Sequence, residues 1–103
     1  WLGGEWLHDA TRARFTAVPA RGRPLGWDRP EREGAEPSHF GRRTSDGTFG
    51  HTGWTGTQLW IDPARDLFVV LLTNRAYMPV HRDSFRRLLE VRARVADEVR
   101  GER

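Results

Sequence analysis

The sequence predicts an α+β fold, with an antiparallel sheet and flanking helices. Two observations predict the sheet: strand-like residues rich in threonine and glycine over 48–62, and a continuous apolar run over 67–72. A third observation, the helical spacing of apolar residues over 82–100, predicts a helix that packs there. The 103 residues fit one small domain, so a complete large catalytic fold is excluded.

Composition narrows the class of protein further. Hydrophobic residues make up 37% of the chain, which is enough for a modest core. The chain has no run of about 18 apolar residues, so we predict no membrane-spanning segment. Cysteine is absent, which excludes disulfides and thiol catalysis. All 17 basic residues are arginine and alternate with 14 acidic residues, so we interpret them as a solvated surface and expect no nucleic-acid partner. We expect no cofactor and no metal, because His8 and His39 lack metal-ligand spacing.

The chain begins at Trp1, and its only methionine is Met78. We therefore expect a fragment or a processed product of a longer polypeptide. Any export signal would lie upstream, which leaves a periplasmic, a secreted and a cytoplasmic location open.

The first half of the chain predicts a short helix followed by irregular structure. Apolar residues recur at loosely helical spacing in a lead-in that we place over residues 1–18. Prolines and glycines over 19–24 end this helix, and 25–28 predicts a short extended segment. Residues 29–47 contain almost no apolar side chain except Phe40, which predicts a long surface loop that forms a functional rim or orders on a partner.

We place three sheet strands between residues 48 and 73. The Asp-Pro sequence that opens the turn 62–66 favours a hairpin between the second and third strands. The third strand, 67–72, shows no alternation, so we expect it to be covered on both faces and to be the most buried strand. If upstream strands are missing, the same strand presents an apolar edge, which predicts poor solubility of the isolated chain.

The last predicted element is a C-terminal helix over 82–100, with Asp83 as its capping residue. Its apolar positions fall on one stripe of a helix, which we expect to face the sheet. The stripe consists of Phe85, Leu88, Leu89, Val95, Ala96 and Val99.

Four glycines, at positions 47, 50, 53 and 56, interrupt the strand-like sequence around His51. Glycine weakens a strand, and a period of three places successive glycines on opposite faces of it. Close approach of a ligand is our preferred interpretation. A bulged, strongly twisted edge strand remains the alternative, since bulges are themselves common beside active sites.

The sequence features over residues 49–75, taken in their order along the chain, resemble those of the β-lactamase-related serine hydrolases. This is the superfamily of class C β-lactamases, penicillin-binding proteins and esterases. Its His-Thr-Gly sequence at 51–53 is similar to the third catalytic motif of that superfamily. In the superfamily the motif is followed by a hairpin, a buried strand and a C-terminal helix. The resemblance covers roughly residues 25–99 and implies the C-terminal part of a β-lactamase/transpeptidase-like α/β domain.

The resemblance also implies an activity and roles for four consecutive residues. The parent enzyme would hydrolyse a small-molecule acyl substrate, either a β-lactam, a peptide or an ester, through an acyl-enzyme. The backbone N–H of Trp54 would be one donor of the oxyanion hole, completed by the nucleophilic serine. His51 would hydrogen-bond either the tyrosine region or a substrate carboxylate, Thr52 would add a hydroxyl for a substrate carboxylate, and Gly53 would keep the strand flat enough for an acyl group to lie against it.

The chain lacks the other two motifs that the resemblance leads us to expect. It contains no lysine, so the Ser-x-x-Lys motif of the nucleophile cannot lie within it. Its one tyrosine is followed by Met78 and Pro79, which departs from Tyr-x-Asn. We therefore expect the isolated chain to be inactive and to need the upstream part of the same polypeptide. The alternative is a noncatalytic binding module with the same fold.

Overall fold

The computed structural model describes residues 6–17, 25–30, 38–77 and 84–101. Two helices and a three-stranded antiparallel sheet form the regular structure of this part, which confirms the predicted fold class. In chain order the elements are α1 (Asp9–Thr16), β1 (Phe49–Thr52), β2 (Gln58–Asp62), β3 (Leu67–Leu71) and α2 (Ser84–Gly101).

Some predicted segments lie outside the described residues. These are both ends of the lead-in, a part of the surface loop at 31–37, and the predicted start of the C-terminal helix with its capping residue, Asp83. Neither of the helices that the structure describes is long and apolar enough to cross a membrane.

The sheet has the strand order β1-β2-β3. Gly50 pairs with Trp60, and Trp60 pairs with Val69, so these three positions share one face of the sheet. The β2–β3 pairing confirms the predicted hairpin, which turns through Asp66 in a left-handed conformation with a φ of 49°. Asp28 extends the outer edge of β1, since its N–H donates to the Gly50 carbonyl at 2.7 Å and its carbonyl accepts from the Gly50 N–H at 3.0 Å.

The main core cluster lies between one face of the sheet and α2, while Phe49 and Ile61 are buried on the opposite face. Phe40, Trp60 and Ala96 are each at most 3% exposed and form one cluster, against which Leu67 and Val69 pack. Alanine on the helix allows its backbone to approach the indole ring of Trp60 closely. Phe40 comes from the predicted surface loop, so this part of the loop contributes to the core.

The prediction that the third strand is the most buried is wrong. Within β3, half-buried and exposed residues alternate. Phe68 is 67% exposed and Val70 is 53% exposed, and Leu72 just beyond the strand is 77% exposed. These three side chains lie on the face opposite α2, and no described element covers them there. The described part of the chain therefore leaves the face of β3 opposite α2 uncovered, although the sequence of β3 is apolar throughout. The middle strand, β2, is buried more completely.

The predicted apolar stripe of the C-terminal helix is only partly correct. Phe85 and Val99 are 52% and 40% exposed, whereas two arginines are buried. Arg92 and Arg100 lie four residues on either side of Ala96, and side chains at this spacing share one face of a helix. The face of α2 that meets the sheet therefore carries two cations among its small residues.

Arg100 forms a polar contact at the far end of this core. Its guanidinium carbon lies 3.9 Å from the ring centroid of Trp60, and Nη1 donates to the Phe40 carbonyl at 2.5 Å. Its Nε lies 3.6 Å from Oδ2 of Asp62, a carboxylate that also accepts a hydrogen bond from the Ser45 hydroxyl at 3.0 Å. Burial lowers the pKa of Arg100, and the Asp62 carboxylate acts in the opposite direction. The ion pair therefore compensates part of the cost of burying the guanidinium.

Candidate functional site

The four predicted site residues, 51–54, lie at the end of β1 and at the start of the turn into β2. We call residues 53–57 the motif turn. The side chain of His51 is exposed, and its Nδ1 lies 2.7 Å from the Thr52 carbonyl. Because a carbonyl only accepts, Nδ1 is the donor in this contact, and Nε2 is the ring nitrogen that remains for another partner.

The side chains of His51 and Thr52 do not lie on the same face of the sheet. His51 pairs with Leu59 and Thr52 pairs with Gln58, and consecutive strand residues point to opposite faces. Thr52 is on the α2 side and half-buried, whereas His51 is on the other side. The structure thus places the predicted substrate-binding residues next to one another along the backbone but directs the first two side chains apart.

Arg92 of α2 holds three carbonyl groups of the motif turn. Its Nη2 donates to the carbonyls of Gly53 and Thr57, each at 3.0 Å, and its Nε donates to the carbonyl of Gly56 at 3.3 Å. The remaining nitrogen, Nη1, lies 3.0 Å from Nδ1 of His39. Burial lowers the pKa of Arg92, and the nearby positive charge of Arg75 lowers it further.

The other two carbonyls of the motif turn are held from the segment that follows β3. Nε of Arg75 donates to the Trp54 carbonyl at 2.6 Å. The Arg75 N–H and the Thr73 hydroxyl both donate to the Thr55 carbonyl, at 2.9 and 3.1 Å. All five carbonyl oxygens of the motif turn are therefore hydrogen-bonded, and each accepts from at least one of three residues that lie far from the turn in the sequence, Thr73, Arg75 and Arg92.

The N–H of Trp54 differs from these carbonyls. Two other N–H groups of the turn are used internally, with Gly53 donating to Thr57 at 2.8 Å and Gly56 donating to Gly53 at 3.1 Å. Among the described residues, the N–H groups of Trp54, Thr55 and Thr57 donate to no acceptor, and that of Trp54 directly follows the His-Thr-Gly sequence. The side chain of Trp54 is 73% exposed. This turn therefore offers a fixed, unpaired backbone donor next to His51.

Arg75 also forms an exposed aromatic cluster beside the turn. Its guanidinium carbon lies 5.2 Å from the ring centroid of Trp54 and 5.6 Å from that of Phe85. Both distances are within the range of a cation–π interaction. Sequence patterns did not identify Arg75 or Arg92 as a site residue. The one available signal was the spacing of Arg92 from Ala96, which places both on the helix face that meets the sheet.

The glycine pattern has a structural explanation at three positions, and at Gly53 the Thr57 hydroxyl occupies the place that a Cβ would take. A Cβ at Gly50 would collide with the backbone of Leu59 and Trp60 and with the ring of Phe40. Gly56 has a φ of 103° and would place a Cβ against the Thr73 hydroxyl. At these positions the protein itself makes the close approach, which supports packing rather than our preferred interpretation of a ligand.

Metal ligation finds no support in this part of the molecule. Among the described residues, no three or more histidine, aspartate or glutamate side chains lie together in a group that could hold a metal ion. The chemistry available at the motif turn is therefore that of hydrogen-bond donors and two arginine charges.

Comparisons with known proteins show which family and which proteins this sequence is similar to. The family model "Beta-lactamase" matches residues 4–93. An N-acetylmuramyl-L-alanine amidase of Bacillus subtilis (strain 168) is 42% identical over 77 residues, which cover 72% of this chain and 17% of the amidase. A provisionally named D-alanyl-D-alanine carboxypeptidase of Salmonella gallinarum is 40% identical over 74 residues, covering 70% of this chain and 17% of that protein. No solved structure shows a significant match. The chain thus spans about a sixth of the length of these relatives.

Proposed function

The chain belongs to the beta-lactamase family, and we propose that it forms one wall of the active site of a serine acyl-transfer hydrolase. In this proposal the chain is the C-terminal part of the enzyme. The names of its relatives, an amidase and a D-alanyl-D-alanine carboxypeptidase, favour a substrate with an amide or peptide bond. A β-lactam and an ester are the other acyl substrates of the same chemistry.

The observation that carries the proposal is the unpaired Trp54 N–H in a turn whose carbonyls are all held. An oxyanion hole needs a donor that is already oriented before negative charge develops on the substrate oxygen. Hydrogen bonds from Arg92 and Arg75 restrict the motif turn in this way, and the Trp54 N–H has no acceptor among the described residues.

We assign substrate contacts to the residues that precede Trp54. The side chain of His51 is exposed at the end of β1, where Nε2 can hydrogen-bond a substrate group or a catalytic hydroxyl. Thr52 would contribute its hydroxyl, and Gly53 would keep the strand flat enough for an acyl group to lie against it. Since His51 and Thr52 face opposite sides, a substrate would contact them across the end of the strand and not across one face.

The nucleophile in this proposal comes from the remainder of a longer polypeptide. The chain contains no lysine, so none of its serines is part of a Ser-x-x-Lys motif. Ser45 is engaged with the buried carboxylate of Asp62, and the Ser38 hydroxyl donates to the Gly41 carbonyl at 3.2 Å. We therefore propose that the 103-residue chain alone does not form an acyl-enzyme.

The test compares the 103-residue chain with the parent polypeptide, which we define as the longest natural polypeptide that contains this chain. Both are incubated with a fluorescent penicillin and with a fluorophosphonate. We expect covalent labelling of the parent polypeptide only. Stoichiometric labelling of the isolated chain contradicts the assignment of the nucleophile, and an unlabelled, folded parent polypeptide supports a noncatalytic binding module.

A second test addresses the role of the Trp54 N–H directly. Trp54→Pro removes this N–H, while Trp54→Ala removes the indole ring and keeps the N–H. In the parent polypeptide we expect kcat for acyl transfer to fall about 100- to 1,000-fold with proline, the effect of losing one oxyanion donor, and to change much less with alanine. Circular dichroism checks that both variants fold. Equal losses of kcat in the two variants would exclude the N–H as the donor.

A further inference from the structure

We propose that Arg92 is a positioning residue for the oxyanion hole, which holds the Trp54 N–H through the carbonyl of the same peptide group. The inference rests on the proposed function of that N–H. Arg92 lies on α2 and is only 2% exposed, yet three carbonyls of the motif turn accept hydrogen bonds from its guanidinium. It does not reach the substrate, so its effect is exerted through the turn.

The link between Arg92 and the Trp54 N–H is a single peptide plane. The Gly53 carbonyl and the Trp54 N–H belong to one peptide group, which is planar, and in its trans form these two bonds point in opposite directions. Nη2 of Arg92 holds the Gly53 oxygen at 3.0 Å, and the Gly56 N–H donates to the same oxygen at 3.1 Å. With the oxygen fixed toward α2, the N–H is fixed toward the opposite side.

The charge of Arg92 adds an electrostatic effect. In the described part of the chain no carboxylate forms an ion pair with Arg92, whereas Arg100 on the same helix face has Asp62. Burying an arginine without a carboxylate is costly. The cost is offset here by the carbonyl dipoles of the motif turn and by His39. A hydrogen bond from a charged donor polarises the peptide group that accepts it, which makes the opposite N–H a stronger donor to a developing oxyanion.

The experiment uses the parent polypeptide with two substitutions on α2. Arg92→Gln removes the charge and the three-carbonyl contact, and Arg94→Gln is the matched control, because Arg94 is exposed on the same helix. We expect Arg92→Gln to lower kcat about 10- to 100-fold, the size of effect that a misplaced catalytic group produces, with KM changing much less. Arg94→Gln should leave both constants unchanged.

A third variant separates charge from geometry. Arg92→Lys keeps the positive charge but replaces a planar fork with a single ammonium group, which cannot hold all three carbonyls in the same way. We expect its kcat to lie between those of the wild type and Arg92→Gln. If kcat of both Arg92 variants equals that of the wild type, or if KM alone rises, Arg92 does not position the donor.

A spectroscopic readout keeps this inference separate from the proposed function. In ¹⁵N-labelled protein, Arg92→Gln should shift the backbone amide signals of Trp54 and Thr55 and accelerate the hydrogen exchange of Gly53 and Gly56, whose N–H groups donate within the turn, while Arg94→Gln should not. If the wild-type polypeptide has no acyl-transfer activity, the proposed function fails, and these signals still decide whether Arg92 orients the Trp54 N–H. Unchanged Trp54 signals in a folded Arg92→Gln variant would overturn the inference.

Discussion

The two outer strands of the sheet are stabilised in opposite ways. β1 leads into the motif turn, whose carbonyl oxygens are all hydrogen-bonded, and its outer edge is bridged by Asp28. β3 pairs with β2 on one edge and leaves Phe68 and Val70 exposed on the face away from α2. Polar contacts within the described residues hold β1 and the motif turn in place, whereas β3 has an apolar face that these residues do not cover. We infer that the motif turn is ordered by the chain itself and that β3 depends on association with other apolar surface.

The largest expected loss of stability comes from replacing Trp60, which packs beneath both regions. Trp60 is 1% exposed and lies in the middle strand, next to Gly50 on one side and Val69 on the other. Trp60→Ala should lower the free energy of unfolding by about 3–5 kcal/mol, through lost burial and a cavity. Urea denaturation of the parent polypeptide measures it, and Trp54→Ala is the exposed control. Similar losses for the two tryptophans would contradict the described core.

The next effect concerns the polar contacts at the far end of α2. Asp62→Asn keeps the shape of the side chain but removes the charge nearest to the buried Arg100. We therefore expect the free energy of unfolding to fall by about 3 kcal/mol. Asp66→Asn in the same hairpin is the control. It lies at an exposed left-handed position with a φ of 49°, which asparagine adopts readily, and it should change stability little. If unfolding is the same in both variants, the ion pair contributes nothing to the fold.

A smaller effect is expected in the motif turn. Gly56→Ala forces a Cβ onto a residue with a φ of 103° and against the Thr73 hydroxyl, at a cost of about 1–3 kcal/mol. Gly26→Ala provides the comparison, because Gly26 has a φ of 72° and a Cβ added there would meet no atom within 4 Å. The difference in thermal unfolding between the two variants gives the contribution of packing. Equal destabilisation would show that the backbone conformation alone requires glycine.

The smallest effect on stability, but a visible one on association, is expected at β3. In the 103-residue chain, Phe68→Thr combined with Val70→Thr replaces exposed apolar side chains with β-branched polar ones, so stability should change by less than about 1 kcal/mol. We expect the unmodified chain to self-associate in size-exclusion chromatography and the double variant to elute closer to a monomer. The control, Leu67→Thr with Val69→Thr, alters the face toward α2 and should unfold the chain. A wild-type chain that is monomeric at every concentration would refute the dependence of β3 on association.

Local sequence signals predicted much of the fold. The Asp-Pro turn at 62–63 and the strand-like residues on both sides of it correspond to the β2–β3 hairpin. The apolar positions of the last segment predicted a helix, because helix formation depends on residues three and four apart. The same signals failed for the burial of β3, since an apolar run is identical whether one or two faces of the strand are covered.

The site was predicted in part. The resemblance identified residues 51–54 as candidate site residues, and the roles proposed for them remain predictions. The two arginines that hold the motif turn were not identified, because Arg92 is joined to Gly53 and Gly56 by hydrogen bonds that span 39 and 36 residues. The chain contains 17 arginines, and the spacing of Arg92 from Ala96 was the one local signal that distinguished a buried arginine from the exposed ones.

The sequence by itself determined the elements, the hairpin and the absence of a lysine that could form a Ser-x-x-Lys motif, because these depend on neighbouring residues and on composition. The tertiary structure decided which face of α2 meets the sheet. That rotation buries Arg92 beneath the motif turn and leaves Arg94, two positions later, in solvent. The reason is physical: a side chain becomes buried only when another element covers it, and the covering element here is distant in the chain.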